Sequence, residues 1–149
     1  MPFTSRNTDG TRSDAVRRRL AAGAAALLVT GAGLWLRAAA TGEVAKYGGD
    51  ALYTLLVLAL IVLAAPRAAA PRACAVALAV SWGVEFLQLT GLPADLSRRS
   101  TAAHWVLGST FNAPDLFWYA VGAAAGWLVL TVSGMRRRAP SVAEPIEFR

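Results

Sequence analysis

The chain has 149 residues, enough for one domain. Its 56% hydrophobic and 16% charged content departs from the roughly 45–50% and 25% of soluble domains, and a core this small could not hide several long Ala/Leu/Val runs. Mean hydropathy is +0.45 and the formal charge is +6, yet the arginines sit at the ends of apolar segments instead of forming a stripe among aromatics. That pattern excludes nucleic-acid binding and fits membrane topology and anionic headgroups.

Taken in chain order, residues 1–16 are polar and Gly-containing and read as a disordered basic tail. The first apolar span, about 20–40, follows Arg17-Arg18-Arg19 and holds Gly23, Gly31 and Gly33, which favour close helix contact in a bilayer. A cleavable signal peptide is the rival reading of this span, but its apolar run exceeds the roughly 7–15 residues usual for one. The second span, about 49–65, is introduced by Gly48-Gly49-Asp50 and stopped by Pro66. The third, about 72–92, opens near Pro71 and closes at Gly91 and Pro93. The fourth, about 114–132, follows Asn112-Ala-Pro114-Asp115 and precedes Ser133-Gly134. The second and fourth spans are marginal in length for a hydrocarbon core about 30 Å thick.

Together these segments predict an all-α fold, an integral membrane bundle of four transmembrane helices within residues 17–134. Residues 135–149 read as a second disordered basic tail. Between the third and fourth spans, residues 100–107 predict a short interfacial helix capped by Ser97 or Ser100 and closed by Gly108. Direction follows from the basic residues. Arg6, Arg12, Arg17, Arg18, Arg19, Arg67, Arg72, Arg136, Arg137, Arg138 and Arg149 fall on the side of the termini, eleven in all, against four (Arg37, Lys46, Arg98 and Arg99) on the other. Both termini are therefore expected in the cytoplasm.

Glu85 stands out among the polar residues. An ionised side chain near the centre of a membrane helix costs about 2.5–3.5 kcal/mol on insertion scales, and it usually faces protein or water. Ser81, Glu85 and Gln88 share one helix face, and Asp115, Tyr119, Gly122 and Gly126 make a similar stripe on the fourth span. Asp50, Glu85, Gln88 and Asp115 fall toward the outer leaflet, where Lys46, Arg98, Arg99 and His104 join them. Each also has a plain structural reading. Asp50 and Asp115 suit helix capping, Gln88 an interhelical hydrogen bond, His104 an interfacial position, and Arg98 and Arg99 headgroup contacts. Cys74 is alone and reads as a small buried hydrophobe, with neither a disulfide nor a metal-ligand pattern.

Read as an ordered series, several pieces resemble the domain-of-unknown-function 2809 membrane proteins of bacteria. They are Gly33-Leu34 with Arg37, Lys46–Tyr53, Val84–Leu89, a downstream Arg98 or Arg99, Val106–Phe111, and Asp115-Leu116 with Tyr119 and Gly122. Tyr53 stands where Trp is common in that family. The resemblance covers about residues 20–130 and implies a retained first span, a multi-pass protein of the bacterial cytoplasmic membrane, and no established activity. A looser similarity, carried by Glu85, Gln88, Asp115 and Gly122, is to VanZ-like envelope proteins.

Three functions compete. The first is binding of an envelope lipid or small polar ligand in an outer-leaflet pocket of Asp50, Glu85, Gln88, Asp115 and Tyr119, with Arg98 or Arg99 holding an anionic group. The second is a membrane-embedded hydrolase or transferase with Glu85 and Asp115 as acid and base, or His104 as an alternative base. The third is proton-linked transport. No cofactor or metal motif is present in the sequence; the partners implied are the bilayer and that ligand, with homo-oligomerisation left open. A reporter active only in the cytoplasm is expected to work at either terminus and to fail when inserted in residues 93–99. Activity at that internal position would reverse the assigned direction.

Overall fold

The structure is a computed structural model that describes residues 6–108 and 110–138, which form six helices. They are α1 (Arg6–Ala39), α2 (Gly42–Ala64), α3 (Ala70–Gln88), α4 (Leu92–Arg99), α5 (Thr101–Leu107) and α6 (Ala113–Arg138), with no strand among the described residues. Four stretches, Gly10–Ala39, Gly42–Ala64, Ala70–Gln88 and Ala113–Met135, are long and apolar enough to cross a membrane. The all-α reading with four spans therefore holds. At 23 residues each, the second and fourth spans reach about 34 Å, so neither is marginal in length.

Helix boundaries differ from the sequence reading in four places, each for a physical reason. Helix α1 begins at Arg6, so residues 6–16 of the expected tail are helical, as are residues 135–138 at the other end. Extending an existing helix requires no new nucleus, so even the weak helix formers of residues 6–16 continue α1, while residues 136–138 are arginines, which favour helix. The remaining parts of the expected tails, residues 1–5 and 139–149, lie outside the described residues. Helix α2 starts at Gly42, two turns before the Gly48-Gly49-Asp50 sequence expected to introduce it. A Cβ on Gly48 would meet the Leu36 side chain at 2.6 Å, so the glycine admits α1 instead of breaking α2. Helix α3 stops at Gln88, where residues 72–92 were expected to continue, and α4 starts from Gly91 at φ 76° with Pro93 in its first turn. The interfacial helix appears as α5, with the Ser100 hydroxyl accepting from the Ala103 N–H at 3.3 Å and Gly108 at φ 66° closing it.

Helix α2 is the centre of the bundle: it packs against α1, α3 and α6, while α3 also packs on α6. The spans alternate in direction, so α1 begins and α6 ends on the side of the α2–α3 turn. Ala22, Leu58, Val62, Ala73, Cys74 and Ala77 form the apolar core on that side. Above it the buried Thr54 hydroxyl donates to Ser81 Oγ at 3.0 Å, and the Ser81 hydroxyl donates to the Ala77 carbonyl at 3.0 Å. Each polar group is thereby satisfied inside the bundle, as a lipid environment requires. Large apolar side chains such as Leu27, Leu28, Trp35, Phe117 and Leu128 point outward, the pattern of helices solvated by acyl chains.

Only some glycines mark close helix approach. A Cβ on Gly122 would overlap the Ala51 carbonyl of α2, and one on Gly126 would overlap Leu58, so this pair sets the α2–α6 spacing. Gly31 and Gly33, expected to play that part in α1, have nothing within 4 Å of where a Cβ would stand, while Gly23 faces Leu63 at 4.0 Å. Gly122→Ala is expected to lower stability by about 1–3 kcal/mol through overpacking against backbone. Gly31→Ala should be neutral or slightly stabilising, because an unobstructed helix position gains up to about 1 kcal/mol from Gly to Ala. Unfolding of both variants by SDS titration in mild detergent checks the contrast.

Candidate functional site

The end of the bundle opposite the termini is polar because three helix faces converge there. On α2, Lys46, Asp50 and Tyr53 follow at i, i+4 and i+7; on α3, Ser81, Glu85 and Gln88 do the same; on α6, Asp115 and Tyr119 lie one turn apart. Helical spacing alone places each set on one face. The antiparallel packing of α3 on α6, aided by the Trp82 indole N–H donating to the Leu116 carbonyl at 3.0 Å, turns two of those faces together.

Glu85 is 1% exposed and lies in the last turn of α3, nearer the helix end than a span to residue 92 would place it. Its Oε1 accepts from the Asn112 backbone N–H at 2.5 Å and its Oε2 accepts from the Tyr119 hydroxyl at 3.2 Å. Asp115, also buried, accepts from the Asn112 side-chain amide and pairs with Lys46 Nζ at 3.0 Å. The Asp115 N–H in turn donates to the Asn112 carbonyl at 2.9 Å, which begins α6. Asn112 thus ties the two carboxylates to one loop residue. The sequence places Asn112 in the lead-in to the fourth span but gives it no part at the site, although Asn three positions before Asp at a helix start suits a capping turn.

Gln88 joins α3 to α5. Its Nε2 donates to the Leu107 carbonyl at 2.7 Å, and it occupies the space a Cβ on Gly108 would need. The Ser97 hydroxyl donates to the Gly108 carbonyl at 2.7 Å, fixing the same corner from α4. Arg37 at the end of α1 lies over the Trp105 ring of α5, 5.6 Å from its centroid. These contacts fold the α4–α5 segment over the polar end.

Beneath it lies a cleft of about 520 Å³. Asp50, Glu85, Gln88, His104, Asp115 and Tyr119, all expected at the site, line it, together with Lys46 and Arg37. Arg98 and Arg99 do not: both are exposed on α4, and Arg98 pairs with Asp95. An early end to α3 followed by α4 carries these two arginines away from the carboxylates. Asp50 does not cap a helix either, since α2 starts eight residues before it. Two buried oxygens in the cleft, Asp50 Oδ2 and Gln88 Oε1, have no hydrogen-bond partner among the described residues. Three carboxyl groups, of which Asp50 and Asp115 lie within hydrogen-bonding reach of each other, face Lys46 and Arg37, so the cleft interior is rich in acceptors. A metal or cofactor would find carboxylate, amide and phenol oxygens there, but no thiolate.

The family model described as protein of unknown function (DUF2809) matches residues 39–123, from the α1–α2 turn into α6. That stretch contains every cleft residue named above except Arg37. No curated protein and no solved structure matches the chain.

Tyr119→Phe removes the hydroxyl donor to Glu85 and leaves a buried carboxylate oxygen unpaired. A loss of about 1–3 kcal/mol in stability is expected. Phe117→Leu, on an exposed position of the same helix, is expected to change stability by less than about 0.5 kcal/mol under the same detergent unfolding.

Proposed function

Because the chain belongs to the DUF2809 family of proteins of unknown function, which supplies no activity, we propose from the cleft that this multi-pass membrane protein binds a small polar molecule or an envelope-lipid headgroup bearing hydrogen-bond donors. The observation that carries this reading is the pair of buried, unpartnered acceptors, Asp50 Oδ2 and Gln88 Oε1, beside an acidic wall. Leaving a buried polar atom unpaired costs about 1–3 kcal/mol, and a ligand amine or hydroxyl recovers that cost. Amine and hydroxyl groups fit these oxygens; a bare anion does not, since the cations that might hold it are Lys46, already paired with Asp115, and Arg37 at the rim. Glu85 and Asp115 are themselves held by Asn112, Tyr119 and Lys46, so they offer a wall already in place before a ligand arrives. With the arginine-rich end in the cytoplasm, the cleft opens toward the outer face of a bacterial cytoplasmic membrane.

Acid–base hydrolysis or group transfer is the second reading, favoured by the presence of Glu85 and Asp115 in one cleft. Proton-linked transport has less support, because the interior below Thr54 and Ser81 is filled by Leu58, Val62, Ala73, Cys74 and Ala77.

Native mass spectrometry of the protein in nanodiscs separates these readings. A discrete bound species is expected in the wild type and is expected to be lost in Asp50→Asn and Gln88→Leu. Identical, unselected lipid content in all three proteins would remove the binding proposal. Conversion of the bound species on incubation, abolished by Glu85→Gln, would replace binding with catalysis.

A further inference from the structure

A second pocket lies at the opposite end of the bundle, on the side of the α2–α3 turn. Arg12 and Arg19 of α1, Arg67 of the turn and Arg72 of α3 line it, around a floor that includes Ala15 and the buried Pro66. Among the described residues no carboxylate lines it, and the two ion pairs there, Lys46–Asp115 and Arg98–Asp95, lie elsewhere. Four exposed arginines drawn from three separate elements therefore line one concavity. Basic residues spread around a helix end need only topology to explain them. Gathering four into one pocket raises their mutual repulsion, which an anion relieves.

The arrangement is specific to part of the basic sequence. Arg12, Ala15, Val16 and Arg19 follow at i, i+3, i+4 and i+7, so they share one face of α1, while Arg17 and Arg18 of the same run are not in the pocket. Arg12 and Arg19 are two turns apart, about 10 Å along the helix. Four positive charges over that spread suit an anion with two phosphate groups, which carries more charge than a single phosphate. Arg72 sits in the first turn of α3, where the helix dipole disfavours a cation unless an anion lies between. Guanidinium groups are also the side chains best shaped for bidentate phosphate contact.

We propose that this pocket is a binding site for an anion bearing two phosphate groups, carried either on a lipid headgroup or as a small soluble anion. It is independent of the cleft at the other end, and stands whether or not that cleft binds a ligand.

The full-length protein in zwitterionic nanodiscs is titrated with cardiolipin, a two-phosphate lipid, and separately with soluble pyrophosphate, and bound adducts are counted by native mass spectrometry. Two double variants are compared: Arg67→Ala with Arg72→Ala in the pocket, and Arg17→Ala with Arg18→Ala outside it. Saturable binding of either probe, weakened about tenfold or more by the first double variant and changed less than about twofold by the second, is the expected result. Binding of cardiolipin alone identifies a lipid site, and binding of pyrophosphate as well identifies a site for paired phosphates whether or not a lipid carries them. Equal weakening by both double variants would reduce the effect to diffuse charge and overturn the pocket, as would no saturable adduct with either probe. An unchanged SDS unfolding transition in both double variants keeps loss of fold from mimicking loss of binding.

Discussion

A carboxylate in the last turn of a membrane helix must find donors or be expelled, and Glu85 finds them outside its own helix. Its two oxygens are met by the Asn112 N–H and the Tyr119 hydroxyl, one from the loop before α6 and one from α6 itself. Satisfying one side chain thus determines how α6 enters the bundle and which of its faces turns toward α3. Asn112 also receives the Asp115 N–H at its carbonyl, so the start of α6 and the pairing of Glu85 depend on the same residue. A buried carboxylate is costly when unpaired, which makes this arrangement all-or-none.

Helix α2 carries the other half of the architecture. It receives α1 at Gly48 and α6 at Ala51, Leu55 and Leu58, where glycines on one partner or the other remove the side chain that would hold the backbones apart. Between lipid-solvated helices there is no hydrophobic drive to associate, so close van der Waals packing and buried polar contacts such as Thr54–Ser81 must supply the attraction. The polar contacts lie in the half of the bundle nearer the cleft. The other half is apolar to the α2–α3 turn.

The two ends consequently differ in chemistry. One is a cleft of carboxylates and acceptor oxygens covered by the α4–α5 segment, with its cations already engaged; the other is a pocket rimmed by arginines. The same molecule therefore presents acceptors at one end and donors at the other, separated by the apolar core and the Thr54–Ser81 pair above it.

The number of spans, their order and the anomaly of Glu85 were legible in the residues themselves. Apolar run length, Gly/Pro punctuation and the i, i+4, i+7 rule are local, and they assign Ser81, Glu85 and Gln88 to one face without reference to anything else. The grouping of Asp50, Glu85, Gln88, His104 and Asp115 at one end likewise follows from alternating span direction. Local rules failed where a neighbour changed the balance. Gly48-Gly49 reads as a helix start until Leu36 is packed against it, and Gly31 and Gly33 read as contact points although nothing among the described residues lies within 4 Å of where a Cβ would stand. The path of residues 89–112 decided the rest: it brought Asn112 onto Glu85 and carried Arg98 and Arg99 away. That path depends on which donors reach a buried carboxylate across two helices, a relation between distant residues that periodicity along one helix cannot contain.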